Sequence, residues 1–158
     1  MRVVAICRTR ATSSEQRLLE RMHELRARVF KHRLDWDVHV EHNQEKDEYD
    51  RLDPTYLVLV AKDGHVIGCA RLLPSTGPTM LGQTFPFLAG ASRVPQSSRV
   101  VESSRFCIDT ERSDIVSASG LRDATHTLFA GIIEWSMANE FDRIVTVTDV
   151  RFERILNR

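Results

Sequence analysis

The stretch from residue 99 to residue 150 constrains the fold most, because it reads as a strand, a helix and a second strand. Residues 99–109 and 143–150 are rich in β-branched and other apolar residues, whereas residues 121–139 place apolar side chains at helical spacing. Two strands of one sheet joined through a helix need a right-handed crossover and lie parallel. This stretch therefore predicts an α/β chain whose sheet contains a parallel pair.

The first third of the chain predicts a strand, a helix and a long loop. Residues 3–7 are β-rich, and Ser13 or Ser14 can cap an amphipathic helix that ends near Phe30. The polar, acidic stretch 31–53 shows neither helical nor strand periodicity. A loop of that length inside a compact domain is usually functional or disordered.

An antiparallel hairpin is predicted next, because two β-rich runs flank Asp63-Gly64, a pair that suits a type I′ turn. These runs are residues 56–61 and 65–73. We also expect an irregular crossing segment and a final helix, residues 74–95 and 151–157.

In this order the elements resemble the GNAT-like acyltransferase fold, which is an α/β (α+β) fold with a mixed, twisted sheet flanked by helices. A chain of 158 residues that is 42% hydrophobic predicts a single domain, 1–158. Such a fold would normally return with a further strand after the last helix. We therefore expect the C-terminal part of the domain to be missing.

Charge and hydropathy argue against several kinds of partner. Twenty-two basic and 22 acidic residues cancel, so no global field attracts nucleic acid or an anionic membrane. No apolar stretch is long enough for a signal peptide or a bilayer span, which predicts a cytoplasmic protein without membrane insertion. However, residues 1–34 carry nine Lys/Arg and three Asp/Glu, whereas residues 35–53 carry two and eight. This contrast indicates a site for a charged or zwitterionic ligand.

The cysteines and histidines do not indicate a metal site. Cys7, Cys69 and Cys107 are odd in number and widely spaced among β-type residues, which favours reduced, buried thiols over disulfides. His39 and His42 are three residues apart, but no second pair of Cys or His complements them. We therefore expect no bound metal.

Glu102 and Arg105 are charged residues three apart within an otherwise apolar strand-like segment. Burying either charge is costly unless it is paired or used. In a regular strand they would point to opposite faces, so they can share a site only if a β-bulge breaks the alternation. The alternative is an edge strand with two solvated charges.

A second group of residues suits a charged, aromatic ligand. Arg26 and Phe30 are four apart on one helical face, Trp36 follows the helix, and Asp47 and Asp50 lie in the acidic loop. A guanidinium, two aromatic rings and two carboxylates match the carboxylate, purine and ammonium or sulfonium groups of S-adenosylmethionine (SAM). The alternative is a helix-to-loop join with a packed Trp and a solvated acidic face.

Taken together, these residues resemble the signature of the LuxI-type acyl-homoserine-lactone synthases in type and spacing. The matching positions are Arg26, Phe30, Trp36, Asp47, Asp50, Arg71, Phe85, Glu102 and Arg105. Three blocks are similar to those of rhizobial members: Arg33-Leu34-Asp35-Trp36, Gly77-Pro78-Thr79-Met80 and Glu102-Ser103-Ser104-Arg105-Phe106. Agreement at this many spaced positions is hard to attribute to chance.

The resemblance implies an enzyme that moves an acyl group from acyl carrier protein to the amine of SAM. Lactonisation then releases methylthioadenosine and a diffusible quorum-sensing signal, so SAM is a substrate and no cofactor is implied. Glu102 would be the base that gives a neutral amine, and Arg105 would order the charged site. The implied SAM side comprises Arg26, Phe30, Trp36, Asp47, Asp50, Arg71 and Phe85. For Arg71, a charge at a strand edge that reaches solvent is the alternative.

The resemblance also implies an acyl side, formed by Ser104, Phe106 and Thr146. Thr146 lies where family members that prefer 3-oxo-acyl donors carry a Thr, so we expect a 3-oxo donor of medium length, although Thr also simply suits strands. Acyl carrier proteins are acidic, and Arg151 and Arg154 on the last predicted helix are candidates for docking them. A solvated helix face would also explain these two residues.

Two other functions remain open from the residues. An acetyl-CoA-dependent N-acetyltransferase on the same fold needs a glycine-rich phosphate loop, yet Gly120 is the one glycine between Asp109 and His126. A non-catalytic ligand-sensing domain could keep the scaffold, but it would not need the charged residues of the site.

Overall fold

The computed structural model describes residues 1–90, 96–112 and 118–148. Its strands are β1 (Arg2–Cys7), β2 (Val40–Glu41), β3 (Gln44–Glu45), β4 (Thr55–Val60), β5 (Val66–Pro74), β6 (Val100–Ile108) and β7 (Arg143–Thr146). Its helices are α1 (Ser13–Arg26), which continues as a π-helix (Ala27–Arg33), α2 (Met80–Gln83) and α3 (Ala118–Ala138). Short 3₁₀ turns occupy Arg8–Arg10, Glu48–Arg51 and Pro86–Ala89.

Five strands form a mixed sheet in the order β1-β4-β5-β6-β7. The first three pairs are antiparallel. The strands β6 and β7, which precede and follow α3 in the chain, are parallel. The predicted parallel pair is therefore confirmed. The last strand is shorter than predicted and ends at Thr146. Residues 149–150 and the predicted helix 151–157 lie outside the described residues.

Helices cover both faces of this sheet. Alternate residues of β4 point to opposite sides, so Tyr56 and Val58 pack in the cluster that contains Met22 of α1, whereas Leu57 packs with Leu128 of α3. All five side chains are at most 1% exposed. Alternation along the central strands thus produces two separate apolar layers, one on each face of the sheet.

Two local predictions are corrected by the structure. The cap of α1 is Thr12, whose hydroxyl accepts from the backbone N–H of Glu15 in a capping box, so neither Ser13 nor Ser14 holds that position. The helical path also continues beyond Phe30 as the π-helix.

The hairpin between β4 and β5 is confirmed, but its turn is not type I′. Gly64 N–H donates to the Ala61 carbonyl at 3.0 Å, which leaves Lys62 and Asp63 as the central residues. Neither has the positive φ that type I′ requires, whereas Gly64 has a φ of 84°. The loop is therefore a turn followed by a left-handed glycine.

Within the predicted loop 31–53 the structure contains local order. After the π-helix come the small hairpin β2–β3 and the 3₁₀ turn Glu48–Arg51. Asp47 caps this turn by accepting from the backbone N–H groups of Tyr49 and Asp50. These short elements hold acidic side chains against the sheet, where the site forms.

Candidate active site

A β-bulge interrupts the pairing of β5 and β6. The register is regular at Cys69 and Cys107 and then shifts, so that Arg105 and Phe106 together oppose one residue of β5. Arg105 has a φ of 54°, and Phe106 stacks on Phe129 of α3 with ring centroids 4.9 Å apart. The predicted bulge is confirmed: it breaks the alternation between Ser104 and Arg105, so that Arg105 shares a face of the sheet with Glu102, while Phe106 lies on the opposite face.

Three guanidinium groups and three carboxylates meet on the α1 side of the bulge. We call them the ion-pair cluster: Arg26, Arg71, Arg105, Glu45, Asp47 and Asp50. None of these side chains is more than 11% exposed. Their formal charges cancel, so each buried charge has a compensating partner.

Arg26 forms the innermost contacts of the ion-pair cluster. Its two terminal nitrogens each donate to one oxygen of Asp50 at 2.9 Å, and its Nε donates to Glu45. Arg26 and Glu45 are fully buried. Such a bidentate pair fixes both partners, and removing one of them costs roughly 3–5 kcal/mol because the other charge stays buried.

Arg71 is buried and does not reach solvent, so its alternative interpretation as an edge charge is wrong. It donates to Asp50 at 2.9 Å, to Asp47, and to the Ser104 hydroxyl at 3.1 Å. Its guanidinium also lies 5.4 Å from the centroid of the Tyr49 ring. Arg71 therefore joins β5 to both aspartates and to β6.

Arg105 lies at the outer edge of the ion-pair cluster, under an aromatic pair. It contacts Glu45 at 3.1 Å and Asp47 at 2.9 Å, and its guanidinium lies 5.5 Å from the Phe30 ring centroid. Phe30 is buried and stacks on Trp36 at 5.0 Å, while Trp36 is 43% exposed. The charged interior is thus continuous with a half-open aromatic surface.

Burial and charge act in opposite directions on the acids of the cluster. Burial alone would raise the pKa of Asp50, but the charges and hydrogen bonds of Arg26 and Arg71 outweigh it and hold that pKa well below its usual range. Tyr56 donates its hydroxyl to Asp50 at 2.7 Å, and burial followed by the Asp50 charge raises the Tyr56 pKa. Asp50 is therefore ionised at neutral pH and accepts from three side chains.

Asp47 has one carboxylate oxygen with spare capacity. Its Oδ1 accepts from Arg71 and from backbone N–H groups, whereas Oδ2 accepts no hydrogen bond from the described part of the chain. The Arg105 guanidinium lies 2.9 Å from Oδ2 without the geometry of a hydrogen bond. This oxygen could accept a donor from a bound cation.

Glu102 is fully buried beside the ion-pair cluster. Its two oxygens accept the backbone N–H groups of Met80 and Leu81 at 2.9 and 2.7 Å, at the start of α2. The Met80 sulfur in turn lies 3.2 Å from Arg71 and 3.8 Å from Arg105. Met80 thus links the two groups, because its backbone N–H binds the Glu102 carboxylate and its sulfur contacts both guanidiniums. The bulge brings Glu102 and Arg105 to a common site.

The remaining predicted residues divide between the two faces. Phe85 packs against the apolar cluster of Tyr49, Leu73 and Met80, near Arg71. Thr146 is exposed and pairs in register with Ser103. The next residue, Ser104, faces Arg71 on the α1 side, so Ser103 and Thr146 lie on the α3 side of the sheet. The predicted docking residues Arg151 and Arg154 lie outside the described residues.

Three site residues were missed by the sequence reasoning. Glu45 bridges Arg26 and Arg105, Tyr56 binds Asp50, and the ring Nδ1 of the buried His23 lies 2.9 Å from the Glu45 carbonyl oxygen. Glu45 is one of eight acids in residues 35–53, with no signal that separates it from its solvated neighbours. Tyr56 and His23 read as ordinary core positions of a strand and a helix.

Among the described residues, no group of three or more His, Cys, Asp or Glu side chains could hold a metal ion. The same residues include no helix long and apolar enough to cross a membrane.

A mixed sheet with a β6-α3-β7 crossover and a charged site at a bulge defines a GNAT-like acyltransferase architecture. The family model for autoinducer synthases matches residues 10–158. The chain belongs to the autoinducer synthase family. The predicted resemblance and fold class are confirmed.

Relatives agree with this assignment. The chain is 51% identical to a probable acyl-homoserine-lactone synthase of Sinorhizobium fredii, over all of the chain and 76% of that protein. It is 54% identical to an acyl-homoserine-lactone synthase of Agrobacterium fabrum, over 89% of the chain and 66% of the relative. The crystal structure of the AHL synthase LasI superposes with a TM-score of 0.86 at 36% identity, over 99% of the chain and 76% of LasI. Proteins with these names are acyltransferases, so the family is one of enzymes.

Two further solved structures contain ligands. TofI, 28% identical with a TM-score of 0.82, was solved in a ternary complex with an inhibitor and MTA; the match covers all of this chain and 78% of TofI. BjaI, a CoA-dependent acyl-homoserine lactone synthase, was solved with SAM and isopentyl-CoA. It shares the fold at 24% identity and a TM-score of 0.83, over 99% of this chain and 70% of BjaI.

Proposed function

We propose that the protein transfers an acyl group from a thioester to the amine of SAM and forms an N-acyl-homoserine lactone. The observation that carries this proposal is the neutral, buried ion-pair cluster beneath the Phe30–Trp36 stack, with Glu102 beside it. The names of the relatives support the same reaction. The chain spans 66–76% of the length of the two curated relatives, so the activity of the whole protein is inferred.

In this proposal SAM extends from the exposed Trp36 ring to the outer edge of the ion-pair cluster. The half-exposed Trp36 ring can stack on the purine, because it already presents one face beyond Phe30. Asp47 Oδ2 can accept from the cationic end of the ligand, and Arg105 can donate to its carboxylate. Arg26, Arg71 and Asp50 position these groups from below through the ion pairs described above.

Glu102 is proposed as the base. An ammonium has no lone pair, so a proton must pass to a carboxylate, directly or through water, before the nitrogen can attack the thioester carbonyl. The thiol then leaves, the amide forms, and the SAM carboxylate displaces methylthioadenosine to close the lactone. Both Glu102 oxygens already accept one backbone N–H, and each keeps a second lone pair for the substrate.

The donor is proposed to be a 3-oxo-acyl group of medium length on acyl carrier protein, docked through Arg151 and Arg154. Ser104, Phe106 and Thr146 would form the acyl side; Phe106 and Thr146 lie on the α3 face of the sheet, whereas the Ser104 hydroxyl accepts from Arg71 on the α1 face. Support comes from the aromatic stack of Phe106 on α3 and from the exposed Thr146 hydroxyl on the same face. BjaI uses CoA on this fold, so the missing glycine-rich loop does not by itself decide between the two carriers.

The decisive experiment is incubation of the chain with SAM and matched acyl carrier protein and acyl-CoA thioesters, followed by mass detection of homoserine lactones. We expect lactone formation from the carrier protein thioesters. Formation from CoA alone would change the donor. A chain that binds acetyl-CoA but not SAM in a thermal-shift assay would instead support an N-acetyltransferase, and SAM binding without any product would support a sensing domain.

Acyl selectivity rests on Thr146. A hydroxyl that donates to the C3 carbonyl would be left without that partner when an unsubstituted chain binds. We expect Thr146→Val to shift a competition between 3-oxo-octanoyl and octanoyl carrier protein toward octanoyl, by about tenfold. The matched control is Thr148→Val, two residues farther along and beyond the end of β7. An unchanged product ratio, or a parent that prefers octanoyl, would remove Thr146 from the acyl site.

A further inference from the structure

Two cysteines face each other across β5 and β6 at the edge of the bulge. Cys69 and Cys107 are directly paired in register, their sulfurs are 3.6 Å apart, and they are 1% and 4% exposed. Opposite residues of an antiparallel pair have Cα atoms about 4.5–5.5 Å apart, which lies within the span of about 4.4–6.8 Å that disulfides bridge. Rotation of the two side chains toward each other is therefore enough to bring the sulfurs to bonding distance.

We propose that Cys69 and Cys107 form a reversible disulfide on oxidation and that this bond loosens Arg105. The Cys69 thiol donates to the Arg105 carbonyl oxygen at 3.6 Å. A disulfide has no proton to donate, so the contact is lost at a residue whose φ of 54° already carries strain. Arg105 also pairs with Glu45 and Asp47, and the change would therefore reach the ion-pair cluster.

The oxidant is hydrogen peroxide, which the reaction reduces to two molecules of water. One sulfur attacks a peroxide oxygen, the O–O bond breaks, and a sulfenic acid and water form. The second sulfur then attacks the sulfenic sulfur, the S–S bond forms, and a second water leaves. Hydrogen bonding to Cys107 and burial both raise the pKa of Cys69, so thiolate is scarce and the reaction proceeds slowly through local opening of the strands.

The first test is chemical and does not depend on the proposed activity. Folded Cys7→Ser protein, which lacks the third thiol, is treated with hydrogen peroxide and digested with trypsin. We expect a loss of about 2 Da and a cross-linked pair of peptides that contain Cys69 and Cys107, reversed by dithiothreitol. The control Cys7→Ser/Cys107→Ala keeps the Cys69 donor and cannot cross-link. No cross-link in folded protein overturns the proposal.

The second test measures the effect on the bulge. Hydrogen exchange of the backbone around residues 104–108 should be at least several-fold faster in the oxidised than in the reduced protein, with no change in the Cys107→Ala control. A cross-link with unchanged exchange overturns the link to Arg105. On the proposed function, oxidation should also weaken SAM binding several-fold. If the protein binds SAM in neither the oxidised nor the reduced state, the proposed function is wrong. The cross-link and exchange results then test the disulfide proposal on their own.

Discussion

Arg105 holds a backbone conformation that non-glycine residues adopt at a cost of about 1–3 kcal/mol. Its side chain offsets that cost through ion pairs with Glu45 and Asp47 and through the Phe30 ring. A regular strand would place this guanidinium on the α3 face, among apolar residues. The strained residue is thus the one that brings β6 into the ion-pair cluster.

Glu102 tests the proposed chemistry most directly. Glu102→Gln keeps the shape of the side chain, removes the proton acceptor and gives up one of the two backbone N–H bonds to α2, so we expect turnover to fall about 10²–10⁴-fold while the fold is retained. The measurement is lactone formation at saturating SAM, with circular dichroism to check folding. The matched control is the exposed Glu20→Gln on α1. Turnover like that of the parent would show that Glu102 is not the base.

Trp36 tests the proposed purine contact. Trp36→Ala removes an exposed ring that stacks on Phe30, and we expect the Kd for SAM, measured by calorimetry, to rise roughly threefold to tenfold. Leu34→Ala serves as the control, because Leu34 is equally exposed at 44% and lies just after the π-helix. Equal Kd values for parent and Trp36→Ala would place the purine elsewhere.

At the scale of elements, the π-helix decides where the aromatic stack lies. The Trp36 N–H donates to the Phe30 carbonyl at 2.8 Å, so the chain turns back over the helix that it has just left. The stack of the two rings follows from this return. π-helical segments are rare in proteins as a whole, but those that occur are often found at functional sites. The position of this one above the ion-pair cluster agrees with that tendency.

The cap of α1 gives a prediction at the same scale. Thr12→Ala removes the hydroxyl that accepts from the Glu15 N–H and breaks the capping box. We expect the free energy of unfolding in urea to fall by about 1 kcal/mol. Ser13→Ala, one residue further along, should change it by less than about 0.5 kcal/mol, because Ser13 does not occupy the cap. Equal effects from the two variants would argue against Thr12 as the cap.

At the scale of the whole molecule, His23 couples stability to pH. Burial, followed by the Arg26 charge, lowers the pKa of His23 from 6.5 to about 4. Between these values the unfolded chain binds a proton that the folded protein excludes, so stability rises with pH from about 4 to about 6.5 and is then flat for this group. The full effect is at most about 3 kcal/mol.

Urea unfolding across this pH range measures the effect. The Asp50 pKa is depressed, so its contribution is lost only as the pH falls below about 4, outside the window of His23. We expect His23→Gln to flatten the rise between pH 4 and 6.5 while leaving the loss below pH 4. A slope that is the same in His23→Gln and in the parent would assign the pH dependence to other groups.

Sequence patterns were sufficient for features that depend on local periodicity or on a cost of burial. Alternation and helical spacing predicted the sheet, the crossover helix and the hairpin, because each pattern is set by neighbours in the chain. Two charges in the apolar run at Glu102 and Arg105 predicted the bulge, since a regular strand would leave one of them on the wrong face. The resemblance to the family rested on these two residues together with seven other spaced positions.

Tertiary structure alone decided which charges meet. Glu45 lies 19 residues from Arg26 and 60 residues from Arg105, and nothing in its local sequence separates it from the solvated acids around it. Its burial depends on where the hairpin β2–β3 lies against α1 and β6. Contacts across the fold determine which of these acids is buried, because buried charges are tolerated only where partners from distant segments converge.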